Sequence, residues 1–274
     1  MKNPVAILVE SNGGVARVTL NRPHKRNAFD AGMVDELCQA FDELGRNPIR
    51  AIVLTGNGSA FCAGADIDWM RSGGNLSISE AQKDAERLMQ MFRAVDECPC
   101  PVIARIQGPA FGGGVGMIAV CDIAVAVEDA TFALSEVRLG MVPAVIAPFL
   151  LRKTGESFLR RFCLTGEPFS ASAAKHDNLV HDVVGRNQLD SRVDELIQMV
   201  LGVAPQAARD TKVLLRRLAA QSDDARWSIC VEANVHARLS AEAQEGLRAF
   251  LERRAPVWTP MPEEQGSCSR SAHE

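Results

Sequence analysis

Apolar and polar positions alternate in two short runs near the start of the chain, Val5–Val9 and Val15–Leu20, joined by Asn12-Gly13-Gly14; this predicts a β-hairpin. From Asp30 the period changes. Met33, Leu37, Ala40, Phe41 and Leu44 recur on one face, which predicts a helix to about Leu44 with Asp30 as its N-cap. Ala51–Thr55 has the length and composition of a buried strand, and Ser79–Asp96 is a long amphipathic pattern with Leu88, Met91, Phe92 and Val95 on its apolar stripe. Val102–Ile106, Ile123–Val127 and the short Thr131–Leu134 predict further strands. From Pro143 onward helical periodicity dominates, over Pro143–Arg152, Glu156–Leu164, Ser170–His176, Gln188–Val200, Pro205–Ala220, Asp224–Leu239 and Ala241–Arg253, with one late strand at Val180–Val184. Strand–helix alternation makes the class α/β. Such short strand–turn–helix units can form either an open sheet or a coiled spiral.

The 274 residues, 47% of them apolar, suffice for one large core with an appendage. The expected organisation is a core over 1–200, a charged helical region over 201–255 and a flexible tail over 256–274, rich in Pro, Glu and Ser. Thirty basic and 34 acidic residues nearly balance, at a net charge of -4, which argues against a dedicated nucleic-acid binder. No apolar run reaches membrane-spanning length, and Met1-Lys2-Asn3-Pro4-Val5 opens no signal peptide, so a soluble cytoplasmic protein is expected. Eight dispersed cysteines read as reduced, mostly buried thiols, and no metal site is expected. No GxSxG context supports a serine hydrolase, and the absence of Tyr removes phenol chemistry.

The candidate chemistry lies in two glycine-bearing loops. Gly112, Gly113 and Gly114 fall between a strand pattern and a helix start, where unpaired N–H groups carry partial positive charge and no Cβ blocks their approach. Upstream, Ser59-Ala60-Phe61-Cys62-Ala63-Gly64-Ala65-Asp66-Ile67 has similar character. One N–H from each loop, aimed at one oxygen, would make an oxyanion hole. A triple glycine alone more often serves packing, and this one lacks both GxGxxG spacing and a Walker A sequence.

Leu20-Asn21-Arg22-Pro23, Asn27-Ala28-Phe29, the Phe61–Ile67 loop, Gly108–Gly116, Cys121-Asp122-Ile123 and Glu136-Val137-Arg138-Leu139-Gly140 occur in order. This set resembles the crotonase (enoyl-CoA hydratase/isomerase) superfamily over about residues 5–255. The resemblance implies a ββα spiral core followed by a C-terminal helical trimerisation region, assembled as a homotrimer or a dimer of trimers. It implies that the Ala65 and Gly113 N–H groups hold the thioester oxygen of an acyl-CoA. Contacts to coenzyme A or substrate fall by resemblance on Lys25, Arg26, Ala28, Ala63, Asp66, Ile67, Gly112, Gly116 and Pro143. Phe250 and Arg253 match a C-terminal pattern that reaches a neighbour's coenzyme A, with Arg in place of Lys. No separate cofactor and no membrane partner are implied.

The resemblance also implies a pair of glutamates, and here one position is Gly116 while the other is Glu136. Glu136 would then be the sole acid/base, with a pKa raised by burial. Val142-Pro143-Ala144-Val145-Ile146 stands where many linear enoyl-CoA hydratases carry a glycine-rich segment, and Gly113-Gly114-Val115-Gly116 together with Ser135 through Ile146 resembles bacterial methylglutaconyl-CoA hydratases of leucine breakdown. A dicarboxylic acyl group would need a cation, for which Arg71 and Arg138 are the candidates. The leading expectation is hydration of a branched 2,3-enoyl-CoA. Isomerisation of a 3-enoyl-CoA is the chemical alternative. A non-catalytic acyl-CoA- or RNA-binding protein is the alternative of another class, with Arg160-Arg161, Lys212 with Arg216-Arg217, and Arg253-Arg254 as its basic clusters.

Overall fold

The computed structural model describes residues 5–73, 76–219 and 221–259. The hairpin forms as β1 (Ile7–Asn12) and β2 (Val15–Leu20), with Gly13 and Gly14 at φ +57° and +81° in its turn. The first strand starts and ends later than the alternation suggests, and as the sheet edge it is exposed along most of its length. Asp30 caps α1 (Ala31–Arg46) by accepting from the Met33 N–H at 3.0 Å, and the helix buries Met33, Leu37, Ala40, Phe41 and Leu44 as its periodicity requires. The wholly buried β3 (Ala51–Gly56) follows, then α2 (Ile67–Ser72), a short helix that no periodicity announces. Ser77 and Glu80 form a capping box on α3 (Ile78–Glu97).

The remainder of the core is β4 (Val102–Ile106), β5 (Ala110–Phe111), α4 (Gly113–Ala119), β6 (Ile123–Val127), β7 (Thr131–Ala133), α5 (Ala147–Thr154), α6 (Glu156–Thr165), β8 (Phe169–Ser170), α7 (Ala171–His176), β9 (Asp182–Val184) and α8 (Leu189–Leu201). The large sheet has the order β1-β2-β3-β4-β6-β9, parallel except for the hairpin, and a small sheet has the order β5-β7-β8. The chain therefore passes β4, β5, β6, β7 while alternating between the two sheets. This is the coil of a spiral, not an open doubly wound sheet, and it settles the alternative that periodicity leaves open. One contiguous apolar core fills the space between the layers, from Val18 and Phe41 to Phe158 and Leu196.

After residue 201 come α9 (Pro205–Ala219), α10 (Asp223–Leu239) and α11 (Ala241–Leu251). Cations tie α9 to the ends of the core strands. Arg209 donates to the Asn47 and Ile49 carbonyls at 3.0 and 2.7 Å, and Lys212 Nζ lies 2.7 Å from the Asp122 carboxylate. Asp122 also accepts from the Val102 N–H at 2.7 Å, so one carboxylate joins the start of β4 to the helical region. The chain from 256 is described only to 259, where Trp258 packs beside Gly246; the rest of the expected tail lies outside the described residues. No described helix is long and apolar enough to cross a membrane. Of the seven described cysteines, all free, Cys62, Cys98, Cys100 and Cys121 are buried, whereas Cys230 is exposed.

Candidate functional site

The two loops singled out in the sequence are joined by backbone hydrogen bonds. Phe61 N–H donates to the Pro109 carbonyl at 3.0 Å and Phe111 N–H to the Cys62 carbonyl at 2.9 Å. On the other side, Phe29 N–H donates to Gly64 and Asp66 N–H donates to Phe29, both at 2.9 Å, which brackets Ala65. Among the described residues, neither the Ala65 nor the Gly113 N–H has an acceptor. The glycines make this approach possible. A Cβ on Gly64 (φ +85°) would lie 2.7 Å from the Phe111 carbonyl oxygen and 3.1 Å from Gly113 N, and one on Gly113 would strike the Phe29 ring. Gly113 opens α4, so its free N–H also stands at a helix start.

Arg22 and Asn27 organise the supporting segment. Arg22 lies 3.0 Å from Asp30, the cap of α1, and 3.1 Å from Asp66, the cap of α2, and its guanidinium also donates to the Ala28 carbonyl. Asn27 is fully buried at φ +57°, a conformation that Asn tolerates better than most residues. Its amide donates to the Asn57 and Ala60 carbonyls, both at 2.8 Å, and its oxygen accepts from Arg22 N–H at 3.0 Å. In the sequence both residues sit in motifs that assign them no role of their own. A polar pair at the end of a strand, just before a helix cap, was the available signal.

A cavity of about 200 Å³ opens beside the two free N–H groups. Ala63, Ala65, Ile67, Gly112, Gly113, Glu136 and Pro143 line it, as do Phe29, Met70, Leu88, Phe92, Met141 and Ile146. Leu88 and Phe92 read as plain core positions from the α3 stripe, yet they also face this space. Glu136 begins a 3-10 turn (Glu136–Leu139) that ends on the left-handed Gly140. Its Oε2 is buried and has no hydrogen-bond partner among the described residues. Burial raises its pKa above the ordinary carboxylate range, against the weaker pull of its own backbone N–H. An unsatisfied buried carboxylate oxygen is costly, and here it belongs to a side chain that lines the cavity.

The other expected residues fall outside the cavity wall. Lys25 stands at the base of α2, with Nζ 2.7 Å from Asp68. Arg26 is exposed in a left-handed conformation, and Ala28 is buried under Arg22. Asp66 spends its carboxylate on Arg22 and the α2 cap, donated by Asp68 N–H at 3.0 Å. Gly116 is buried against Ile146 and Phe92 and does not itself line the cavity, although both of those neighbours do. Phe250 and Arg253 lie at the end of α11 and do not line the cavity of their own chain. Cys62 is core: burial pushes its thiol up to about 12 and it donates to the Asn27 carbonyl at 3.1 Å.

Neither candidate cation reaches the cavity. Arg138 Nε donates to the Gly166 carbonyl at 2.9 Å, and Arg71 is exposed beside Asp68 at 3.6 Å. The basic clusters are largely ion-paired, Arg160 with Glu156, Arg161 with Glu167, Lys212 with Asp122, Arg217 with Glu232 and Arg254 with Glu245. That leaves little free positive surface for a phosphate backbone.

The site therefore combines, in a largely apolar cavity, a buried carboxylate with two N–H groups that lack acceptors among the described residues. Solved structures carry the same fold. An enoyl-CoA hydratase from Shewanella pealeana is 38% identical and superposes with a TM-score of 0.88 over 92% of this chain and 96% of its own. Pseudomonas aeruginosa AtuE is 33% identical, with a TM-score of 0.90 over 93% of this chain and 100% of its own. The enoyl-CoA hydratase AKT6-1 of Alternaria alternata is 36% identical over 211 residues, 76% of this chain and 69% of that protein. Residues 10–261 match the family described as enoyl-CoA hydratase/isomerase, and the chain belongs to that family of enzymes.

Proposed function

We propose that this enzyme adds water to a 2,3-enoyl-CoA, with Glu136 as its only acid/base. The observation that carries the reading is the unpartnered Glu136 carboxylate at a cavity shared with the free N–H groups of Ala65 and Gly113. The thioester oxygen accepts from both N–H groups. Glu136 takes a proton from water as the water oxygen attacks C3, and the electron pair of the double bond moves onto the thioester oxygen. The two dipoles stabilise that enolate, each by about 3 kcal/mol. Protonated Glu136 then returns the proton to C2, so H and OH arrive on one face. Lys25 and Arg26, beside α2, supply the cations for coenzyme A phosphates, and a neighbouring subunit's Phe250 and Arg253 complete that site in a homotrimer or a dimer of trimers.

The acyl group we propose is short and branched. A cavity of about 200 Å³ holds roughly six or seven waters at their ordinary volume. Among the described residues its walls carry no cation, which favours an uncharged branched tail over the dicarboxylic tail of methylglutaconyl-CoA. The single carboxylate favours a second reading, isomerisation of a 3-enoyl-CoA by moving a proton between C4 and C2. Purified enzyme given crotonyl-, 3-methylcrotonyl-, 3-methylglutaconyl- and 3-enoyl-CoA separates these readings. Hydration of the first two is the expected result. Turnover of the 3-enoyl ester alone would replace hydration by isomerisation, and turnover of none would remove both.

A further inference from the structure

Beside the cavity, two residues compete for one volume: Ile146, which lines it, and Gly116 behind it. A Cβ built on Gly116 would lie 2.8 Å from Ile146 Cβ and 3.3 Å from Phe92 Cε1, and nearer still to Ile146 Cγ2. Ile146 lines the cavity and is only 3% exposed. The Cγ2 methyl of Ile146 thus occupies the volume that any side chain at 116 would need. The backbone of Ile146 is fixed: its N–H donates to Pro143 at 3.2 Å, and its carbonyl accepts from Leu150 at 3.1 Å. A β-branched side chain on a fixed backbone has little rotamer freedom. Phe92 backs it, with its ring centroid 6.2 Å from that of Phe29 and 6.1 Å from that of Phe149.

We propose that Ile146, seated on the bare Cα of Gly116, is the specificity-determining residue of the acyl cavity. It fixes the depth and excludes acyl groups longer than a short chain. The inference rests on reading this cavity as the acyl site. The isoleucine offers a built-in comparison, because Ile146→Val removes Cδ1 and leaves Cγ2 on Gly116, whereas Ile146→Ala removes both.

Calorimetric binding of saturated butanoyl-, hexanoyl- and octanoyl-CoA tests this without turnover. Ile146→Ala is expected to raise the octanoyl-to-butanoyl affinity ratio by about ten-fold or more, Ile146→Val by less, and Ile146→Phe to lower hexanoyl-CoA affinity by about ten-fold. Thermal unfolding gives a second readout. Gly116→Ala should lower Tm, and Ile146→Ala in the same chain should recover part of that loss, because the two side chains compete for one volume. An unchanged affinity ratio in folded Ile146→Ala, strictly additive Tm changes, or no binding of any ester by the wild type would overturn the proposal. If Ile146→Ala does not fold, the opposed Val and Phe variants decide it in the same way. A wild type that turns over no enoyl-CoA, with the shifted ratio still seen in Ile146→Ala, would instead sink hydration and leave this inference standing.

Discussion

The Glu136 carboxylate lies directly over the Cα of Gly112: a Cβ there would be 3.0 Å from Oε1 and 3.5 Å from the carboxyl carbon. The first glycine of the triplet thus makes room for the Glu136 side chain, while the second presents an N–H without an acceptor among the described residues. Gly112 also sits at φ +50°, ψ -120°, a conformation that L side chains rarely adopt. Gly112→Ala should therefore displace the carboxylate and lower kcat on an enoyl-CoA by roughly 10²-fold, since small misplacements at the reacting centre are costly. Steady-state kinetics on the folded variant check this; near-normal kcat would show that Glu136 is not held in its working position by that contact.

Glu136→Gln preserves volume and removes the transferable proton. It should lower kcat by about 10²–10⁴-fold with little change in CoA-ester affinity. In the wild type the base must be ionised to accept the proton of water. Burial raises its pKa, so the acidic limb of the kcat/KM profile should lie above the ordinary carboxylate range. Stability moves the opposite way. The folded state holds this proton more tightly than the unfolded state, so the group's contribution is fully present below the unfolded pKa and is lost as pH rises through the folded one. Tm of the wild type should fall across that window relative to Glu136→Gln. Parallel Tm profiles would contradict the buried-carboxylate account.

Asn27 has no contact with the cavity but holds the loop that bears Ala65. Asn27→Ala removes its bonds to the Asn57 and Ala60 carbonyls and leaves alanine in a left-handed conformation. A loss of about 2–4 kcal/mol in stability is expected. Because the Ala60 carbonyl also accepts from Gln107 at 2.7 Å, the loop should loosen locally before it detaches. Denaturant unfolding measures the first effect. A lower kcat at saturating substrate, in conditions where the variant is fully folded, measures the second.

Much of the fold was legible because amphipathic periodicity and capping act locally. Asp30 and the Met33–Leu44 stripe fix α1, and Ile123–Val127 forms β6 with the expected bounds. The helix expected from Pro143 begins at Ala147 instead. Pro143 through Ile146 make a turn that lines the cavity, closed by the Ile146 and Ala147 N–H groups on the Pro143 carbonyl. The short α2, β5 and β8 escaped because each depends on partners distant in sequence. At the site, the resemblance named Glu136 and the two N–H groups, but only coordinates show that Gly116 is filled from behind by Ile146. No single-sequence pattern reports that two positions thirty residues apart share one volume.

The last expectation concerns assembly. Trp227, Val231, Val235 and Leu239 recur every fourth residue along α10 and are 74, 65, 51 and 75% exposed. Phe250 and Leu251, at the end of α11, are 81 and 80% exposed. Apolar stripes of this extent are rarely left in water. The family is typically oligomeric, and a homotrimer built through these helices would cover the stripe and bring Arg253 toward a neighbour's cavity. Light scattering at micromolar concentration should give three or six copies of the chain. Val231→Asp, which forces a charge into that contact, should shift the mass downward, whereas Arg253→Ala should keep the mass and weaken CoA-ester binding. A stable wild-type monomer whose CoA affinity ignores Arg253→Ala would overturn the shared site and leave the phosphates to Lys25 and Arg26.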